Sequence, residues 1–170
     1  MISLSSAHTG GLTWSKISCN RNCELRLNGE VVGTLRRRSF WSSTFLAETQ
    51  VGEWTLRRGG FFNTGIEILD SSSLQPIAFF KSAWGLCGTL TFTDGQRFEV
   101  KPSGWWRPTW SVVDGAGQTI LRFKPSDRAV DLPMGAALPE NRLTLLIVFL
   151  RYRVLQAEQD AAFVPAVAGA

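Results

Sequence analysis

The chain has 170 residues, 44% of them apolar and 19% charged, which suits one packed domain and excludes an extended disordered chain. A second domain would have no room for a core of its own. Eighteen Lys and Arg against fourteen Asp and Glu leave a net charge of +4, a bias toward anionic partners.

Residues 1–22 are rich in Ser, Gly and Thr and are expected to form a flexible arm ahead of a single domain over 23–160. Neither a basic nor an apolar signal region is visible in residues 1–11. Cys19, Cys23 and Cys87 are too few for a disulfide framework, which points to a reducing compartment. A cytoplasmic protein is expected.

Strand periodicity begins at Glu24. Leu25 and Leu27 alternate with Arg26 and Asn28, Asn28-Gly29 supplies a hairpin turn, and Val31, Val32 and Leu35 follow. The same grammar returns at Leu90 and Phe92, the Asp94-Gly95 turn, and Phe98 and Val100. A period of two marks half-buried strands.

Two stretches repeat one another. Trp54-Thr-Leu-Arg-Arg-Gly-Gly-Phe-Phe leads to Ile66-Glu-Ile-Leu-Asp70 and Phe80-Lys81. Phe98-Glu-Val-Lys-Pro-Ser-Gly-Trp-Trp leads to Trp110-Ser-Val-Val-Asp114 and Phe123-Lys124. A partial third copy is Leu35-Arg-Arg-Arg-Ser-Phe-Trp41. Each copy reads as strand, basic residues, small turn residue, aromatic pair, strand, acidic turn and strand. Such units cannot bury their apolar faces alone, so a mainly β fold is predicted, an antiparallel barrel or barrel-like sandwich.

Beyond Pro125 the period changes. Asn141 is a candidate N-cap, and Leu143, Leu146, Ile147, Leu150 and Val154 fall at helical spacing, which predicts a helix over about 141–158. Leu145, Val148, Phe149 and Tyr152 fill its other faces, so it is expected to be buried all round, with Arg151 and Arg153 marking its emergence into solvent. The run Leu143–Leu150 is far short of the roughly 20 residues of a bilayer span. Residues 161–170 are expected to fray.

Repeated strands with basic-then-aromatic corners, followed by one hydrophobic helix, resemble the tubby-like superfamily. That superfamily includes tubby C-terminal domains, phospholipid scramblases and LURP-one-related proteins. The resemblance spans residues 24–160 and rests on Leu25–Leu35, the Phe-Lys pairs at 80–81 and 123–124, and the helix from Leu143. It implies a closed β-barrel around a central apolar helix. Neither a tubby signature nor the acidic calcium segment, cysteine-rich run or membrane span of scramblases is visible.

No catalytic set is evident. His8, the one histidine, lies in the arm, and no phosphate loop, nucleophile elbow or zinc-protease motif occurs. Asp70 and Asp114 fit turn acceptors better than acids or bases. Cys19 and Cys23 would need more ligands than Cys87 and His8 supply, and read as free thiols. No enzyme, cofactor or metal is expected.

The candidate binding residues are Arg36, Arg37, Arg38, Arg57 and Arg58, beside Phe40, Trp41, Phe61 and Phe62. Guanidinium forks match phosphate oxygens, which predicts a peripheral module for anionic membrane lipid or phosphoinositide headgroups at the inner membrane surface. The plainer alternative makes the arginines solvated strand ends and the aromatic pairs core plugs, in a module whose partner is another protein. Aromatics spread in alternation argue against nucleic acid. Trp84, Trp105, Trp106 and Trp110 raise the question of a small-molecule pocket, which a helix filling the barrel would close.

Overall fold

The computed structural model describes residues 11–17, 21–59, 65–133 and 137–162. Among them are twelve strands: β1 (Leu12–Lys16), β2 (Cys23–Leu27), β3 (Glu30–Arg37), β4 (Phe45–Thr49), β5 (Gly52–Arg58) and β6 (Gly65–Asp70), then β7 (Pro76–Ser82), β8 (Gly88–Phe92), β9 (Arg97–Ser103), β10 (Thr109–Asp114), β11 (Thr119–Lys124) and β12 (Ala129–Asp131). Each pairs with its neighbour in sequence, and β12 pairs with β1, so the sheet is a closed barrel without free edges. One helix follows, α1 (Glu140–Ala162).

The alternation in the sequence becomes the two faces of the barrel wall. In β2, Cys23, Leu25 and Leu27 are buried while Glu24 and Arg26 are not. Phe45, Leu56, Ile68, Phe80, Leu90, Phe98, Val112 and Phe123 continue the inner face around the ring.

The turns obey local chemistry. Asn28 and Gly29 both take positive φ, 51° and 90°, as the two-residue turn between β2 and β3 requires. At Asp94-Gly95 only the glycine does, φ 90°, while the Asp94 carboxylate accepts from the Gln96 amide at 3.0 Å.

The inner face closes on α1. Every residue from Leu143 through Gln156 is buried, so no side of this stretch reaches solvent. Phe45 of β4 meets Tyr152 edge-on at 5.3 Å, Phe80 of β7 meets Phe149 at 5.2 Å, and the ring of Phe123 in β11 lies 5.6 Å from the Arg151 guanidinium. These strands stand on different sides of the ring, which places the helix in its interior. Gly88 of β8 faces inward for the same reason: a Cβ there would collide with the ring of Phe80.

Both ends of α1 are tied to the wall. Near its start Arg142 donates to the Asp94 carboxylate at 2.7 Å and to the Gln96 side chain, with its guanidinium 4.3 Å from the Phe92 ring. Near its end Asp160 pairs with Arg58 at 2.8 Å. The helix axis therefore runs along the barrel, and the two rims are distinct. The turns 28–29, 50–51, 71–75, 93–96 and 115–118 lie at the rim of the helix start, and the connections 38–44, 83–87, 104–108 and 125–128, mostly longer, lie at the rim of the helix end.

Four expectations need correction. Leu12–Lys16, expected in the arm, is β1, where Leu12 and Trp14 bury inward and complete the ring. Ala161 and Ala162, expected in the frayed tail, end α1, while residues 1–10 and 18–20 of the arm and 163–170 of the tail fall outside the described residues. Asn141 lies within the first helical turn instead of capping it, because the first helical bond runs from the Leu143 amide to the Pro139 carbonyl, 3.0 Å. Arg151 and Arg153 do not mark an exit into solvent: each is only 5% exposed, because the wall extends past them and aromatic rings cover their guanidiniums.

Asp70 closes the β6–β7 turn. One of its carboxylate oxygens accepts from the Ser72 hydroxyl at 2.6 Å and from the Ser73 amide at 2.8 Å. The Ser72 hydroxyl first, then Ser73, lower its pKa from 3.8 to about 2. Gln96 and then Arg142 also lower that of Asp94. A depressed carboxylate stabilises the fold above its unfolded pKa, and that contribution is lost as pH falls toward the folded value. The thermal midpoint should therefore start to fall near pH 4 and keep falling to about pH 2, with a shallower decline in Asp70→Asn.

Candidate functional site

The rim at the helix end gathers what the turn rim lacks. Three connections carry aromatic side chains that no core position claims: Phe40 and Trp41 between β3 and β4, Trp84 between β7 and β8, and Trp105 and Trp106 between β9 and β10. All five are between 65 and 99% exposed. Exposed aromatic side chains on three connections of one rim are informative in a way that a single exposed residue is not.

Local bonding pins the bases of these loops and leaves their tips outward. The Arg38 amide donates to the Thr44 carbonyl at 2.9 Å, and the Ala83 amide to the Cys87 carbonyl at 2.9 Å. Gly85 at φ 67° and Gly104 at φ 98° take the left-handed conformation that turns each chain beside its tryptophans. Phe40 and Trp41 pack edge-to-face at 5.1 Å, covering each other instead of the core.

All five predicted arginines come to this rim. β3 and β5 run in the same direction on either side of β4, with Arg37 opposite Phe45 and Phe45 opposite Leu56. Their ends are thus level and two strand spacings apart, roughly 10 Å. Their side chains are not equivalent. Arg57 is paired with Glu67 at 2.8 Å and Arg58 with Asp160 at 2.8 Å, so both are already engaged. The Asp160 bond, ahead of the cost of burial, raises the pKa of Arg58 further. Arg37 donates to the Ser42 carbonyl at 2.6 Å and leans toward Phe40, 6.0 Å from the ring centre. Arg36 and Arg38 have no ion-pair partner among the described residues. Phe61 and Phe62 lie outside the described residues.

Net charge differs between the two rims. Lys16, Lys81, Arg107, Lys124 and Arg128 join the five arginines near the aromatic rim and outnumber Glu24, Glu67, Asp127, Glu158 and Asp160 there, whereas Glu30, Glu53, Asp70, Asp94, Asp114 and Glu140 outnumber Arg26, Arg97 and Arg142 near the turn rim. The helix dipole matches this arrangement, its positive end toward the acidic turns and its negative end toward the basic rim.

The sequence signal for the aromatics was their setting rather than their type. Trp84 stands beside Gly85, and Trp105 and Trp106 stand between Gly104 and Pro108, outside any alternating run. Trp110, grouped with them by composition, is a strand residue and 2% exposed. Asp70 and Asp114 serve as turn acceptors, Asp114 for the amides of Ala116 and Gln118 at 2.9 Å each. Cys23 is buried, with its sulfur 3.5 Å from an Arg151 nitrogen, and Cys19 lies outside the described residues. Comparison with protein-family models, curated proteins and solved structures gave no match to this chain.

If these aromatics belong to a binding surface, the fold does not need them. Changing Trp41, Trp84, Trp105 and Trp106 together to Ser should alter the unfolding free energy by no more than about 1 kcal/mol in urea denaturation. Trp110→Ala should cost about 3–5 kcal/mol in the same assay.

Proposed function

We propose that this chain is a non-enzymatic peripheral module that docks on anionic membrane surfaces by the rim at the end of its helix. The observation that carries the reading is the coincidence, on one rim, of five exposed aromatic side chains and the basic strand ends. Tryptophan favours the headgroup region, where its ring is half desolvated, and Arg and Lys pair with lipid phosphates. Each basic residue near an anionic leaflet adds about 1 kcal/mol of attraction. The acidic turn rim points the other way, which orients the barrel before contact.

Among the described residues no helix is long and apolar enough to cross a membrane. The proposed contact is one of loops with the interface. Arg36, Arg37 and Arg38 are the leading headgroup ligands, with Arg57 and Arg58 contributing where lipid phosphate displaces Glu67 and Asp160. Membership of the tubby-like superfamily belongs to the same proposal and is supported by the closed barrel around a helix.

The test is co-sedimentation with vesicles of graded phosphatidylserine and phosphoinositide content, at low and physiological salt. Wild type should bind anionic but not neutral vesicles and weaken as salt shortens the screening length. Arg36, Arg37 and Arg38 changed together to Ala should lower the partition coefficient roughly tenfold to a hundredfold at low salt. The quadruple Trp-to-Ser variant should lower it as well. Absence of binding at either salt would overturn the reading in favour of a protein partner for this rim.

A further inference from the structure

Two adjoining cavities open between α1 and the wall near the aromatic rim. One, about 230 Å³, is polar and is lined by Trp14, Lys16, Ser126, Arg128, Arg151 and Glu158. The other, about 630 Å³, is lined by Leu86, Trp106, Pro108, Trp110, Val154 and Ala157, among others. Pro125, Ser126 and Glu158 border both, so the two lie side by side with these residues as their common wall.

The polar cavity holds more donors than the protein satisfies. Arg151 is 5% exposed, yet its one hydrogen-bond acceptor among the described residues is the Cys23 sulfur at 3.5 Å, a weak one. Its Nε has no partner, and neither has the indole N–H of Trp14, which is 2% exposed. Glu158 stands 3.8 Å from Arg151 and 3.9 Å from Lys16, beyond hydrogen-bond distance of both, and is itself 45% exposed. Lys16, Arg128 and Arg151 thus outnumber the single carboxylate. Unbalanced charge in a partly enclosed space is costly, and an oxyanion in this cavity would meet the excess of cationic side chains.

We infer that these cavities form one site for a single-chain anionic amphiphile, its terminal phosphate among Lys16, Arg128 and Arg151 and its acyl chain between Trp106 and Val154. The larger volume falls within the roughly 300–1,000 Å³ of ordinary ligand pockets. The smaller accommodates one tetrahedral oxyanion. The inference deepens the membrane-surface reading and rests on it for the source of the ligand. Its site is separate from Arg36–Arg38.

Calorimetric titration tests it with three probes: octanoyl lysophosphatidate below its micellar concentration, inorganic phosphate, and octyl glucoside. Lysophosphatidate should bind one to one, about tenfold or more tighter than phosphate because methylenes are buried, with no binding of the glucoside. Lys16→Ser with Arg128→Ser should weaken it at least about tenfold. Ala161→Trp, an exposed change at the lip of the larger cavity, should block the chain while leaving the weaker phosphate affinity intact. Phosphate binding as tightly as lysophosphatidate, or indifference to Ala161→Trp, would overturn the amphiphile site. Loss of lysophosphatidate binding in Arg36, Arg37 and Arg38 changed to Ala would overturn its placement. Binding to anionic vesicles without any binding of lysophosphatidate would sink this inference alone, and absence of both would sink it together with the membrane reading.

Discussion

The structure depends on the burial of α1 inside a closed sheet. A helix that is apolar on all faces has no stable place in water, and a strand ring of this size has no stable interior without a filling. Each element supplies what the other lacks. Phe45, Phe80 and Phe123 reach inward from separate strands to meet Tyr152, Phe149 and Arg151. The two buried arginines are tolerated because their guanidiniums lie against rings, Arg153 4.8 Å from that of Phe80, while its terminal nitrogens reach Gln156 and the Leu86 carbonyl. Burial first, and then the nearby Arg58 charge, lower the pKa of Arg153.

Filling the barrel with a helix gives it a direction. Because α1 starts at the tight turns and ends at the long connections, the two rims carry different chemistry. The turn rim uses carboxylates as backbone acceptors, at Asp70, Asp94 and Asp114, and these must be acidic side chains or their amides to close the turns. The other rim has no such demand. Its connections are free to display Trp41, Trp84, Trp105 and Trp106, which contribute nothing to the core. The acidic turns and the exposed aromatic side chains thus occupy opposite ends of one scaffold.

Much of this was legible in the residues. Period-two alternation located β2, β3, β8 and β9, Asn28-Gly29 and Asp94-Gly95 located two turns, and the apolar run from Leu143 located the helix. The Leu12–Lys16 strand was obscured because five residues with Ser and Lys carry too little apolar signal to separate from a polar arm. Its burial is decided by pairing with β2 and β12. Arg151 and Arg153 misled for a related reason. Charge predicts solvent only where nothing covers it, and the rings of Phe123 and Phe80 come from strands far away in sequence. The pairs Phe40-Trp41 and Trp105-Trp106 were ambiguous because buried and exposed aromatics share a composition, and only their place on the rim connections shows that they are exposed.

We propose the aromatic rim as the face that meets the membrane. The seven tryptophans report it directly, since Trp14, Trp54 and Trp110 are buried whereas Trp41, Trp84, Trp105 and Trp106 are exposed. Intrinsic fluorescence should be recorded on titration with anionic vesicles whose acyl chains carry bromine close to the headgroup. A blue shift with quenching in the wild type, absent when the four exposed tryptophans are Ser, is the predicted result. Unchanged emission while the protein sediments with the vesicles would mean that another face makes the contact.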